Sequence, residues 1–169
     1  MFIAHLPAAF IALKTAPIRL APQLTVAFLI GSVLPDSDLA YFYLLDGRQH
    51  HHHDYFTHRP MLWITLLLIS FVVTHHGLRA ITALSSGALL HLLLDSISGK
   101  IGWLWPLSDW AEPVIPVPAT HDHWVMSFLT HWTFKVEIAI TLIAIIVAFR
   151  ATKNPAQRTG FLGKFLKKA

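Results

Sequence analysis

The chain has 169 residues, 54% of them hydrophobic and only 13% charged, which suits one domain but is too apolar for an ordinary soluble one. The absence of cysteine excludes disulfides and thiolate metal sites, so any bound metal has nitrogen and oxygen ligands, and twelve histidines outnumber nine acids. The net charge of +4 is concentrated at the C-terminus. This distribution helps to predict how the chain is oriented in a membrane, and it does not indicate a nucleic-acid partner.

Apolar runs separated by polar breaks predict about five membrane-embedded helices. The runs cover residues 1–13, 20–35, 60–78, 80–94 and 124–149. The second run can resume past a kink at Pro35, and the third has nineteen residues without a formal charge, which is long enough to span a membrane. We therefore predict an all-α polytopic membrane protein, with a membrane domain over residues 1–150 and a basic cytoplasmic tail over residues 151–169.

Basic residues predict the orientation of these helices. Nine of them share one side of the membrane in this topology, and four fall on the other. The nine are Lys14, Arg19, Arg79 and six over residues 150–169, and the four are Arg48, Arg59, Lys100 and Lys135. Because cytoplasmic loops carry the excess of Lys and Arg, we expect the N-terminus outside and the C-terminus in the cytoplasm.

This topology brings most of the His and Asp residues that could bind a metal to the outer face of the membrane. They are His5, Asp36, Asp38, His53, His58, His91, Asp95 and the group 121–123, whereas His75 and His76 fall on the inner face. Ionisable residues in membrane segments are costly and usually functional. We therefore predict a metal site at one membrane face.

His91 and Asp95 are four residues apart in an apolar run, so a helix places both side chains on one face. An imidazole and a carboxylate held this way form half of a site for zinc or another divalent metal. The alternative is a buried histidine bonded to a nearby aspartate.

Asp36 and Asp38, at a broken helix, can bind or bridge metals. They can equally form a polar helix end at the interface.

The loop over residues 47–59 contains four consecutive histidines, His50 to His53, followed by His58 and Arg59. We select His53 and His58 as ligands, because extended neighbours point in different directions; the loop can also collect metal adventitiously. Arg59 suits phosphate recognition, with membrane headgroups as the alternative partner. His5 is either a ligand or a structural histidine.

A second polar group lies near the last apolar run. It comprises His121, Asp122, His123, His131 and Glu137. The spacings fit no ligand pattern, so Asp122 and His123 are expected to lie at the membrane interface or behind the ligands. Glu137 lies inside an apolar run and is the better candidate, as a residue that orients a ligand.

Together these motifs resemble a family of bacterial inner-membrane metal-dependent hydrolases, some of which are LexA-regulated. The family pattern has an N-terminal histidine, Leu-Pro-Asp-x-Asp, His-Arg-Gly-x-Thr-His, Gly-x-x-x-His-x-x-x-Asp and Trp-Pro. The corresponding residues here are His5, 34–38, 53–58, Gly87 with His91 and Asp95, and Trp105-Pro106. Asp54-Tyr55 replaces Arg-Gly in this chain. The His-x-x-x-Asp element is also similar, more weakly, to one in zinc-dependent phospholipases C.

We expect a membrane-bound hydrolase that uses metal-activated water on a phosphoester or ester of a lipid. The expected cofactor is zinc, with two ions expected from the ligand count and manganese or magnesium as alternatives. The predicted ligands are His5, Asp36, Asp38, His53, His58, His91 and Asp95. Asp38 is the predicted general base and Arg59 the second catalytic residue. The alternative function is a metal or proton transporter that uses the same residues.

Overall fold

The computed structural model describes residues 1, 3–73 and 78–153, and this part of the chain is helical without a β-strand. The helices are α1 (His5–Thr15), α2 (Pro22–Gly31), α3 (Asp38–Leu44), α4 (Pro60–Val72), α5 (Leu78–Asp95), α6 (Trp124–Thr130) and α7 (Trp132–Lys153). Short 3-10 turns cover Pro35–Ser37, His52–Asp54 and Phe56–His58. The all-α prediction is confirmed for the described residues.

Fewer helices can cross a membrane than the sequence predicted. Helices α5 and α7 are long and apolar enough, and α2 with the segment Pro35–Leu44 forms a third candidate that is bent by 54°. Helix α4 has 13 residues, or about 20 Å at 1.5 Å per residue, against a hydrocarbon core of about 30 Å. The described residues therefore contain two or three candidate spans, and the prediction of about five is wrong.

The errors arose where an apolar run continues but the helix does not. Helix α4 ends at Val72, and the extended backbone of Val73 (φ −97°, ψ 100°) follows. The adjacent β-branched residues Val72 and Val73 favour such an end. The last apolar run breaks at His131, whose extended backbone (φ −73°, ψ 148°) separates α6 from α7. The predicted kink at Pro35 is confirmed, because the 3-10 turn that begins there joins α2 to α3.

Helix α5 is the centre of the packing, with α2 and α4 against it, while α1 packs mainly against α7. Glycines allow α2 and α5 to approach closely. A Cβ at Gly31 would collide with the backbone oxygen of Leu84, and a Cβ at Gly87 would collide with that of Phe28. Small residues at helix contacts of this kind are typical of membrane proteins. This contact fixes the end of α2 beside the middle of α5, about one turn before His91.

Several sequence predictions fall on residues outside those described. They concern the tail beyond Lys153 and the pair His75 and His76. The domain boundary, the cytoplasmic tail and the orientation in the membrane therefore stay predictions.

Candidate metal centre

Four side chains from different parts of the chain converge next to the end of α5. Asp36, His58, His91 and Asp95 each offer one nitrogen or oxygen atom, and these atoms lie within 4.8 Å of one another. His58, His91 and Asp95 are at most 1% exposed, whereas the side chain of Asp36 is 29% exposed. The cluster is therefore buried on all sides except that of Asp36.

The α5 helix supplies the predicted half-site. His91 and Asp95 lie one turn apart, with Nε2 of His91 3.0 Å from Oδ2 of Asp95. The other ring nitrogen, Nδ1, donates to the backbone oxygen of Ser32 at 2.9 Å. Helix α2 ends at Gly31, just before this oxygen. The bond requires a proton on Nδ1, so the lone pair of a neutral His91 is on Nε2 and faces the cluster.

His58 is oriented in the same way by Asp38. Its Nδ1 donates to Oδ2 of Asp38 at 2.5 Å, and the hydroxyl of Thr57 donates to the same oxygen at 2.5 Å. Nε2 of His58 then faces the cluster, 3.4 Å from Nε2 of His91. Carboxylates commonly hold metal-binding histidines through the second nitrogen. The structure thus places Asp38 behind His58 and outside the four-residue cluster.

The protonation of His58 depends on these carboxylates. Burial alone lowers its pKa, but the hydrogen bond to Asp38 and the negative charges of Asp38 and Asp95 outweigh burial and raise the pKa to about 9. Without a metal, His58 therefore carries a proton on Nε2 at neutral pH. A metal ion that bound this nitrogen would displace the proton.

Asp95 is the common neighbour of the surrounding imidazoles. Its Oδ2 lies 3.0 Å from Nε2 of His91, 3.5 Å from Nε2 of His58 and 3.6 Å from Nε2 of His53. Among the described residues this buried oxygen makes no hydrogen bond. Its Oδ1 contacts the amino group of Met1 and lies 3.2 Å from Nε2 of His5. A buried acceptor surrounded by ring nitrogens fits a metal ligand.

His5 and His53, which the sequence predicted as ligands, lie beside the cluster and are not among its four members. The ring of His5 stacks on that of His91, with centroids 3.7 Å apart. His53 belongs to a second group, with His52 and His58, whose nitrogens also lie within 4.8 Å of one another. Burial lowers the pKa of His53 well below its usual value and that of His52 to about 4, so both rings are neutral.

His52 is the member that the sequence analysis missed. The 3-10 turn over His52–Asp54 brings two successive imidazoles towards His58, which the assumption of extended neighbours did not allow. His50 instead bonds Asp46 through Nδ1 at 2.8 Å. Gly99 makes room for His53, because a Cβ there would collide with its ring. The run of four histidines was the only sequence signal for His52.

The remaining candidates make other contacts. Arg59 donates to the backbone oxygen of Asp54 at 2.9 Å, and its guanidinium lies 5.3 Å from the ring centre of Trp105. His123 accepts from the backbone N–H of Val125 at 3.2 Å and caps α6. His131 bonds the hydroxyl of Thr133 at 2.9 Å, in the first turn of α7. The catalytic role of Arg59 stays a prediction.

A mainly apolar cavity of about 290 Å³ lies beside the cluster. Ile97 and Ser98, which follow Asp95, line it together with Val114 and Ile115 and the start of α7 from Trp132 to Glu137. Met1, which contacts Asp95, forms part of the wall. The cavity therefore lies between Met1, which contacts Asp95, and the first turns of α7.

Comparison with known proteins identifies one family. No curated protein and no solved structure matches the chain. Residues 2–156 match the model of the YdjM inner membrane protein family. The match covers nearly the whole chain, and it agrees with the candidate spans and with the predicted inner-membrane location. The chain therefore belongs to the YdjM inner membrane protein family.

Proposed function

We propose that this protein is a membrane-bound, metal-dependent hydrolase whose metal is held by Asp36, His58, His91 and Asp95. One observation carries the proposal. Both histidines use Nδ1 for a hydrogen bond to an acceptor, so their Nε2 atoms face each other at 3.4 Å, next to two carboxylates. Four acceptor atoms that converge in a buried place require protons or a cation between them. Imidazole and carboxylate together suit zinc, with manganese as an alternative.

The exposure of Asp36 supports catalysis over a purely structural site. Structural zinc sites are closed by protein ligands, whereas catalytic sites keep a position open. Here the side chain of Asp36 is 29% exposed, so water and substrate have an approach on that side. A divalent metal bound there would lower the pKa of a water ligand and polarise the bond to be cleaved.

The chain's own residues orient the ligands. Asp38 and the Ser32 carbonyl hold the two Nδ1 protons, which keeps Nε2 of each ring directed at the cluster. In this proposal Asp38 positions His58 and does not act as the general base predicted from the sequence. Asp36 offers the cluster its Oδ1, so in this proposal its second carboxylate oxygen, on the exposed side, accepts a proton from an attacking water.

A lipid phosphoester or ester is the proposed substrate class. The apolar cavity of about 290 Å³, whose wall includes Met1 next to Asp95, offers a place for a hydrocarbon group of the substrate near the cluster. Arg59 directly follows His58 and offers a guanidinium for a phosphate. The second group, of His52, His53 and His58, shares His58 with the first. Because Nδ1 of His58 is bonded to Asp38, only its Nε2 can bind a metal, so the working stoichiometry is one ion and not the two expected from ligand count.

The first test is the metal content of untagged protein purified in detergent. We expect bound zinc in the wild type, loss of it in Asp95→Ala and His91→Ala, and wild-type content in Asp109→Ala, whose exposed aspartate lies outside the cluster. Wild-type content in all three variants would contradict the metal assignment.

The second test is turnover. The metal-loaded protein is given vesicles of a headgroup-labelled phospholipid and a water-soluble phosphodiester, with Asp95→Ala as the control. We expect release of the label that depends on Asp95, with preference for the lipid. Bound metal without turnover of either substrate would contradict hydrolysis. Asp95-dependent metal flux into proteoliposomes would then support the transporter.

A further inference from the structure

Glu137 is a fully buried carboxylate in α7, a candidate membrane span. Ionisable side chains in spans are costly and have a specific partner or function. Its Oε2 accepts from the backbone N–H of Ile3 at 2.7 Å and from that of Ala4 at 3.3 Å. A side chain of the last described helix thus binds the backbone just before the first one.

These bonds replace a cap that α1 lacks. Its N-cap residue is Ala4, which has no side-chain hydrogen bond to offer, and its first turn contains no acidic residue. In a capping box, a glutamate of the same helix accepts from the backbone N–H of the N-cap. Glu137 makes that bond from 133 residues away. A carboxylate at this end of a helix also complements its dipole.

The residue next in the chain is His5, the first residue of α1. It is 2% exposed, and it reaches the cluster from α1, whose main packing partner is α7. Its ring stacks on His91, and its Nε2 lies 3.2 Å from Asp95. The place of His5 at the cluster therefore depends on how the start of α1 is held.

We propose that Glu137 is the positioning residue for His5: it fixes the backbone of Ile3 and Ala4 and so keeps the His5 imidazole against His91 and Asp95. The inference rests on the metal centre of the proposed function, but it concerns the assembly of that centre and not the reaction.

The test is a double-mutant cycle on zinc affinity, with the full chain in detergent. His5 contacts the proposed ligands His91 and Asp95, so we expect His5→Ala to weaken binding roughly 10–100-fold, the range for groups that support ligands, and Glu137→Ala to weaken it by up to the same factor. The double variant with His5→Ala should bind no more weakly than His5→Ala alone, because Glu137 acts through His5. Glu137→Gln keeps an oxygen acceptor and should restore most of the affinity. Unchanged affinity in Glu137→Ala, or additive losses in the double variant, would overturn the proposal.

A second measurement needs neither metal nor turnover. Diethyl pyrocarbonate modifies accessible imidazoles, and mass spectrometry assigns each site in metal-free protein. We expect His5 to be protected in the wild type and in Glu137→Gln and to react in Glu137→Ala, with His91 protected in all three. Glu112→Ala, at an exposed glutamate paired with Lys100, should match the wild type.

The outcomes separate this inference from the proposed function. Protection of His5 in Glu137→Ala overturns the positioning role even if the protein binds metal and hydrolyses lipid. Reaction of both His5 and His91 in Glu137→Ala also overturns it, since Glu137 would then support the whole fold. Selective exposure of His5 supports it, even in a protein without hydrolase activity.

Discussion

Replacement of Asp38 tests whether this carboxylate orients His58 or binds the metal itself. Asp38 accepts from Nδ1 of His58 and from the hydroxyl of Thr57, both at 2.5 Å, in a buried place. Asp38→Asn keeps an oxygen acceptor but removes the charge, and Asp38→Ala removes both. Loss of such a supporting carboxylate costs roughly 10–100-fold in metal affinity, or about 1.4 to 2.7 kcal/mol. We expect Asn at the low end of this range and Ala at the high end.

The assay is a competitive zinc titration against a chromogenic chelator, with untagged protein. Asp54→Asn is the matched control, because Asp54 lies in the same loop and its side chain is 60% exposed. The control should bind within about twofold of the wild type, as exposed charges contribute little. Complete loss of binding in Asp38→Asn, equal to that in Asp95→Ala, would refute the orienting role and make Asp38 a direct ligand. Unchanged affinity in Asp38→Ala would refute both roles.

Three further predictions concern stability. Gly87→Ala should lower the free energy of unfolding by about 1 to 3 kcal/mol, because its Cβ would meet the Phe28 carbonyl, whereas Ser86→Ala should unfold at nearly the wild-type temperature. In metal-free protein the pKa of His58 is raised from 6.5 to about 9, so its stabilising contribution is complete below pH 6.5 and is lost as pH rises through 9. Thermal melting between these values should show that decline, and a flat profile would contradict it. Zinc at 100 times its Kd should stabilise the wild type by about 2.7 kcal/mol but leave Asp95→Ala unchanged, as measured by melting with and without a chelator.

The half-site on α5 could be predicted because it is local. Four residues along one helix bring His91 and Asp95 to the same face whatever surrounds them, and the 3.0 Å contact follows from that spacing. The involvement of Asp36 and His58 was predicted only as a convergence at one membrane face. Their contacts depend on the close approach of α2 to α5 at Gly31 and Gly87, which no spacing in the sequence measures.

For the loop over residues 47–59, the sequence did not predict correctly which of the four consecutive histidines lie near the cluster. The sequence cannot rank four identical side chains, and the ranking depends on what each one meets in space. His50 is bound by Asp46, whereas His53 fits beside Gly99 and reaches Asp95. The 3-10 turn then brings His52 in as well.

The span count failed for a related reason. An apolar run records which residues tolerate lipid, but a helix ends where backbone angles and hydrogen bonds change, as they do at Val73. Segment length in the sequence therefore overstated the number of spans.

The sequence by itself determined the membrane class, the helical architecture of the described part and a donor set of imidazole and carboxylate without thiolate. These follow from composition and from local periodicity. Only the tertiary structure decided which nitrogen of each histidine faces the cluster, that Asp38 stands behind His58, and that Glu137 holds the backbone before His5. The physical reason is that the direction of a side chain and the position of its proton are set by hydrogen-bond partners, and these partners lie 20 to 134 residues away along the chain.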